Sequence, residues 1–287
     1  MYIYIVLMTI TVNDILHVND EKRIMIVNNN ATQNILLIGS CRITPFLNYM
    51  INHDIFGNNY NYLGILVYND QMKILSEDII NNEEIRHQIC RSKYLVAEYM
   101  LNYNFFNTNR SSNQSIFNIY DSFEKEIILP NWNNICLYAK DLVQFKDLKN
   151  ELNRALRNEI HINDFAQKLR ETHEKELERY YSILRKANFP ELIDYVKSIV
   201  INYRIANTLN HPTNLIFIQL YRLVIEKYFT GDSYHFPQSV LSANSEEFLQ
   251  NKDHDTKLTF YDYHYLNIRI NESYLDQQES INYLLRD

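Results

Sequence analysis

The apolar positions in the first third of the chain form short unbroken runs, and later ones recur at helical spacing. Tyr2–Met8 and Arg23–Val27 have the length and β-branched content of strands, separated by a polar stretch, which predicts a hairpin-like N-terminal addition. Asn34-Ile-Leu-Leu-Ile38 is apolar apart from its first residue and stops at Gly39, the pattern of a central parallel strand buried on both faces. Pro45–Ile51 reads as a helix with Pro in its first turn, and Tyr62–Tyr68 as the next strand. Strand, helix, strand is the βαβ unit of an open α/β sheet. Ile79–Cys90 reads as a helix and Tyr94–Ala97 as a short strand. Another apolar piece, Ile127–Leu137, surrounds Pro130 and Trp132.

From Asp147 to Ala187 the pattern is charged and helical, broken near His161-Ile-Asn163, with Asn163 expected as the N-cap of the second helix. Glu191–Tyr203 reads as a helix, Asn207–Pro212 as a polar turn, and Thr213–Phe229 as an apolar amphipathic helix ended by Gly231. Strand-like Lys257–Tyr261 and Tyr265–Ile270 stand in the tail. The expected fold is α/β: an open, mainly parallel sheet flanked by helices, with a helical insertion and a small C-terminal appendage. Residues 1–231 are expected as one α/β domain. It takes in an N-terminal addition (1–30) and the insertion (about 147–187), and residues 232–287 pack on it.

Composition removes whole classes of function. The 287 residues include only 4 Gly, so neither a dinucleotide-binding glycine loop nor a phosphate loop can be written. Three scattered Cys give neither a disulfide framework nor a CxxC zinc site. With 28 Lys+Arg against 35 Asp+Glu, the net charge of -7 argues against nucleic acid as partner. The apolar opening is short and lacks a basic flank, so no signal peptide and no membrane span are expected, and the location reads as cytoplasmic. Abundant Asn, Ile, Tyr and Lys with scarce Gly and Ala suit an AT-rich genome, as in large DNA viruses or some protists.

Two local sites carry chemistry. Gly39-Ser40-Cys41-Arg42 follows the best core strand and precedes a helix. The carboxyl ends of the strands form the ligand crevice of such a sheet, and the helix start favours an anion or a developing oxyanion. A thiol there tends toward thiolate, which suits Cys41 as nucleophile. The alternative is a packing glycine beside a small buried Cys41. Asn210-His211-Pro212 presents an imidazole from a rigid loop, as a general base requires, or else is a simple helix cap. Asp262-x-His264, on one face of a predicted strand, weakly suggests a metal site, and no metal is expected there.

Taken together, Gly39-Ser40-Cys41 and the late His211-Pro212 resemble the first and last blocks of the SGNH hydrolases. Cys41 stands in the serine's place and Thr208 in the aspartate's. These departures resemble the WcbI-type polysaccharide-biosynthesis family, to which Ile160–Phe165, Leu129–Leu137 and Asn210-His-Pro-Thr213 are also similar. The likeness covers roughly residues 34–229. It implies an SGNH-like three-layer sandwich and an acetyltransferase that takes an acetyl group from acetyl-CoA. The acceptor is a sugar, or a nucleotide-linked sugar, for a surface glycan. It further implies Cys41, His211 and Ser40 as catalytic residues, and coenzyme contacts at Gly39, Ser40, Cys41, Arg42 and Asn210. Asn131 and Trp132 are the candidates for substrate contact. Arg154, Arg157, Lys168 and Arg170 are candidates for the coenzyme's 3′-phosphate, or form an ordinary solvated helix face. An esterase or deacetylase, and a non-catalytic carbohydrate-binding module, are the rival classes.

Overall fold

The computed structural model describes residues 24–27, 29–40, 42–51, 59–66, 83–98, 123–132, 135–208, 211–229, 257–270 and 273–285. The predicted strand at Tyr2–Met8 and the Gly231 helix stop lie outside them. The chain divides into two compact units, one of residues 1–131 with 220–244 and one of residues 132–219 with 245–287.

The first unit is built on a five-stranded sheet. Its strands are β1 (Ile24–Val27), β2 (Asn34–Gly39), β3 (Asn61–Leu66), β4 (Ser92–Glu98) and β5 (Lys125–Leu129). They stand in the order β1-β3-β2-β4-β5, and every pairing is parallel except β1 with β3. All six residues of β2 and of β3 are buried, as strands covered on both faces must be. Helix α1 (Ile43–Ile51) links β2 to β3 and packs against both, so the expected βαβ unit is present. Helix α2 (Glu83–Cys90) leads into β4.

The chain leaves β2 toward β3 on one side and later returns to place β4 on the other. The boundary between β2 and β4 is therefore the topological switch point, where α/β sheets open their ligand crevice. The opposite edge is closed by amides. Asn61 Nδ2 donates to Asn34 Oδ1 at 2.9 Å, and Asn34 Nδ2 donates to Gln88 Oε1 at 2.5 Å.

The second unit is mostly helical: α3 (Ala139–Leu142), α4 (Lys146–Leu156), α5 (Ile162–Lys186) and α6 (Glu191–Ile199). A small hairpin of β6 (Ala206–Thr208) and β7 (His211–Pro212) precedes α7 (Asn214–Tyr228), within which the two units divide. The tail adds α8 (Phe260–His264) and α9 (Gln277–Leu284).

Both charged helices form where expected, but α5 is capped by His161 rather than Asn163. His161 Nδ1 accepts from Asn163 N–H while the Asp164 carboxylate takes the His161 amide, a reciprocal capping box. Helices α4 and α5 both end on asparagine in the left-handed region, at Asn158 (φ 58°) and Asn188 (φ 64°). Each closes a Schellman motif, with Glu159 N–H donating to Arg154 O and Phe189 N–H to Leu184 O, both at 2.9 Å. Asparagine tolerates this conformation through its short polar side chain, so a glycine-poor chain still stops its helices cleanly.

The tail corrects a sequence expectation. Phe260–His264 is helix, not strand, because Thr259 and Asp262 form a capping box. Asp262 is fully buried. Its Oδ2 accepts from Thr259 N–H and Oγ1–H, both at 2.7 Å, and its Oδ1 accepts from Ala139 N–H at 2.8 Å. No group of acids, histidines and cysteines among the described residues could hold a metal ion.

His173 on α5 is half-buried with Nδ1 against Leu137 O at 3.1 Å. Burial pushes its pKa down from 6.5 to about 4, and the Leu137 carbonyl only partly opposes this. The unfolded chain therefore takes up this proton first. Its contribution to stability is complete above about pH 6.5 and is lost as pH falls to about 4, amounting to about 3 kcal/mol. Urea midpoints measured at pH 7 and pH 4.5 should fall less in His173→Gln, which keeps a donor for Leu137 O, than in the parent. An equal fall in both proteins would assign the acid sensitivity to other groups.

Candidate functional site

Residues from the carboxyl ends of three adjacent strands meet at the switch point. β2 stops at Gly39, and Ile43 N–H donates to Ser40 O at 2.9 Å, which turns the chain into α1. β4 ends on Glu98, the one acid in an otherwise buried stretch of that strand, itself only 2% exposed. β5 is followed by Pro130 and Asn131.

Glu98 organises this edge. Its Oε2 accepts from Ser40 N–H at 2.9 Å and from Ser40 Oγ–H at 2.7 Å. Its Oε1 forms an ion pair with Arg42 Nη2. The same guanidinium nitrogen donates to Asn131 Oδ1 at 3.3 Å. Arg42 is 5% exposed, so the pair is buried, and both charges are matched where water cannot solvate them. Gly39 is required by close approach. A Cβ there would lie 2.9 Å from Glu98 Cβ and 3.1 Å from its Oε2.

The structure thus brings Gly39, Ser40, Arg42 and Asn131 into one network. Cys41 and Asn210 lie outside the described residues, as does the side chain of His211. The backbone of His211 belongs to β7, paired with β6 so that Thr208 stands opposite it. The base of that hairpin is tied by Thr213 N–H to Ile205 O at 3.1 Å and by Thr213 Oγ1–H to Arg204 O at 2.9 Å. Pro212 and Thr213 are buried, and of the segment expected as a polar turn the described ends, up to Thr208 and from His211, pair as strands.

Trp132 belongs to the second unit. It is 3% exposed, with its ring against Tyr180 and Phe217 at centroid distances of 6.2 and 5.9 Å. Arg154 pairs with Glu151 and Glu159 on the surface of α4, and Lys168 and Arg170 are exposed on α5. Sequence reasoning missed Glu98. The available signal was a single acid ending an apolar strand that follows a βαβ unit.

No family model matches the chain, and no curated protein matches it. One solved structure is similar. It is WcbI, described as a novel polysaccharide biosynthesis enzyme, in its native form without a disulfide between coenzyme A and a cysteine. It aligns over 72% of this chain and 73% of its own, with 12% identity and a TM-score of 0.48. The relationship is a distant structural one. Among the described residues, no helix is long and apolar enough to cross a membrane.

Proposed function

We propose that this chain is an acetyltransferase on an SGNH-like three-layer frame, moving an acetyl group from acetyl-CoA to a sugar hydroxyl or amino group in glycan biosynthesis. The observation that supports it most is the Gly39–Arg42 turn, which carries a cysteine motif and sits at the switch point of a mainly parallel sheet. The Asn210-His211-Pro212 motif ahead of α7 supplies the second half of the reading.

In this mechanism His211 accepts the proton of the acceptor as its oxygen or nitrogen attacks the thioester carbonyl. The carbonyl π electrons move onto oxygen, where the positive end of the α1 dipole offsets the charge. Collapse breaks the carbon–sulfur bond, and coenzyme A leaves as a thiol with the proton from His211. In the covalent variant the Cys41 thiolate makes the first attack, and the acceptor then displaces it from acetyl-Cys41. Ser40 and Arg42 act differently from one another and from Cys41. The Ser40 amide and hydroxyl are engaged by Glu98, and the Arg42 and Ile43 amides by Ser40 Oγ and Ser40 O, so in this reading it is the positive end of the α1 dipole that offsets the oxyanion. Arg42 holds Glu98 and Asn131, so coenzyme phosphates are met by other groups.

Acetyl-CoA and CoA are expected to raise the melting temperature. At a ligand concentration of about 100 Kd, binding to the native state adds about 2.7 kcal/mol. For a chain of this size that is roughly 5–10 °C. No shift at millimolar coenzyme removes the proposal. Hydrolysis of a chromogenic acetate ester without coenzyme would point to the esterase class instead.

A further inference from the structure

The switch point also holds a hydroxyl and a carboxylate in the relation of a nucleophile to its base. Ser40 Oγ–H donates to Glu98 Oε2 at 2.7 Å, within the reach that proton transfer needs. The same oxygen accepts from Ser40 N–H at 2.9 Å, so backbone and side chain of Ser40 are held on one atom. Glu98 Oε1 is taken by the ion pair with Arg42, which fixes the orientation of the carboxylate. A nucleophile, a base and a third group that orients the base are the parts of an activated hydroxyl. Burial divides them in a useful way. Glu98 is 2% exposed while Ser40 is half-buried, so the proton moves inward and an electrophile meets the oxygen from the solvent side. Once Glu98 holds the proton, the oxygen has electron pairs to spare, and the Arg42 amide engages one of them at 3.4 Å.

We propose that Ser40 is a nucleophile in its own right, with Glu98 as its general base, and that its substrate is an activated acyl group, a thioester or an ester. Ser40 Oγ bonds to the acyl carbon, its proton passes to Glu98 Oε2, and the carbonyl π electrons move onto oxygen. Collapse breaks the bond to the leaving sulfur or oxygen, which departs with the proton from Glu98. The products are acyl-Ser40 and a free thiol or alcohol. Onward transfer to a sugar rests on the function proposed above; the Ser40–Glu98 pair does not.

The test is labelling of the full chain by a fluorophosphonate, which needs neither coenzyme nor acceptor. Its phosphorus stands in for the acyl carbon: the Oγ–P bond forms, fluoride leaves, and the proton goes to Glu98. Mass spectrometry should find an adduct, map it by peptide fragmentation to Ser40, and miss it in Ser40→Ala. Glu98→Gln keeps the shape of the side chain and removes the base, so labelling should slow by about 100-fold or more, the lower end of what a general base contributes. No adduct at Ser40, or a smaller slowing, overturns the inference.

Should Glu98→Gln fail to give a cooperative melt, Glu98→Gln with Arg42→Met, which removes both charges of the pair, is read on the same scale. Should that fail too, labelling of the parent in deuterium oxide replaces it: a slower rate than in water supports proton transfer in the attacking step, and an equal rate overturns it. Labelled Ser40 in a chain that ignores coenzyme removes only the proposed function. Coenzyme binding with an unreactive Ser40 removes only this inference.

Discussion

Replacing Glu98 by Ala is expected to lower the unfolding free energy by about 3–5 kcal/mol, the usual cost of leaving one partner of a buried ion pair alone. Three losses act together. The Arg42 guanidinium, 5% exposed, loses the carboxylate it is paired with. The Ser40 amide and hydroxyl lose their acceptor. A void opens at the end of β4, next to Gly39. The first loss dominates, because a buried charge cannot relax by rearranging neutral neighbours. A double variant, Glu98→Ala with Arg42→Met, should recover most of the stability, since apolar groups of similar size replace a buried pair at little cost. Urea denaturation of the four proteins of the cycle measures this directly. A single-variant loss below about 1 kcal/mol would mean that water reaches the pair and solvates it.

The second large effect is expected at Asp262. Its carboxylate accepts from Ala139 N–H, Thr259 N–H and Thr259 Oγ1–H while fully buried. It begins α8 and, from 123 positions away, also satisfies the first amide of α3, whose own N-cap residue, Tyr138, makes no side-chain cap bond. Asp262→Ala leaves two buried amides and a hydroxyl without this acceptor. At about 1–3 kcal/mol for each orphaned group, with partial relaxation, the expected loss is about 4 kcal/mol. The melting temperature should then fall by roughly 10 °C. Asp262→Asn keeps the shape and one acceptor oxygen but turns an N–H donor toward a donor, so it should lose nearly as much. A loss in Asp262→Ala no larger than a single exposed cap, about 1 kcal/mol, would show that water replaces the carboxylate.

The parts of the fold that were legible are those where one physical pattern dominates. β2 read as a central parallel strand, and β3 as the next strand of its βαβ unit, because burial on both faces leaves no room for polar alternation, apart from the Asn34–Asn61 pair that bonds to itself. Helices α4 and α5 read from apolar spacing, since charged residues can only face water between the buried Leu148, Leu152, Phe165 and Leu169. The tail misled because its tyrosines alternate with polar residues, the period of a strand. In fact Thr259-x-x-Asp262 is a helix-start signal, and two buried hydrogen-bonding groups outweigh a weak alternation over five residues. The candidate site was half legible. The glycine stop after β2 located the turn, but Glu98 was not anticipated, because a charge ending an apolar run reads as the first residue of a loop. Only the neighbouring strand, which no local pattern specifies, shows that the acid turns inward to Arg42.

The closeness of Gly39 to Glu98 also constrains the order in which this edge of the sheet could have evolved. Any side chain at position 39 must meet Glu98 Cβ at 2.9 Å and Ile43 Cβ at 3.3 Å. Every residue except glycine carries that Cβ at position 98, so trimming Glu98 alone does not make room, and a side chain at 39 requires β2 and β4 to separate at this edge. Loss of Glu98 removes an acceptor from Ser40 and Arg42 but leaves the glycine as necessary as before. Descendants that abandoned the ion pair should therefore keep the glycine for as long as the two strands stay paired.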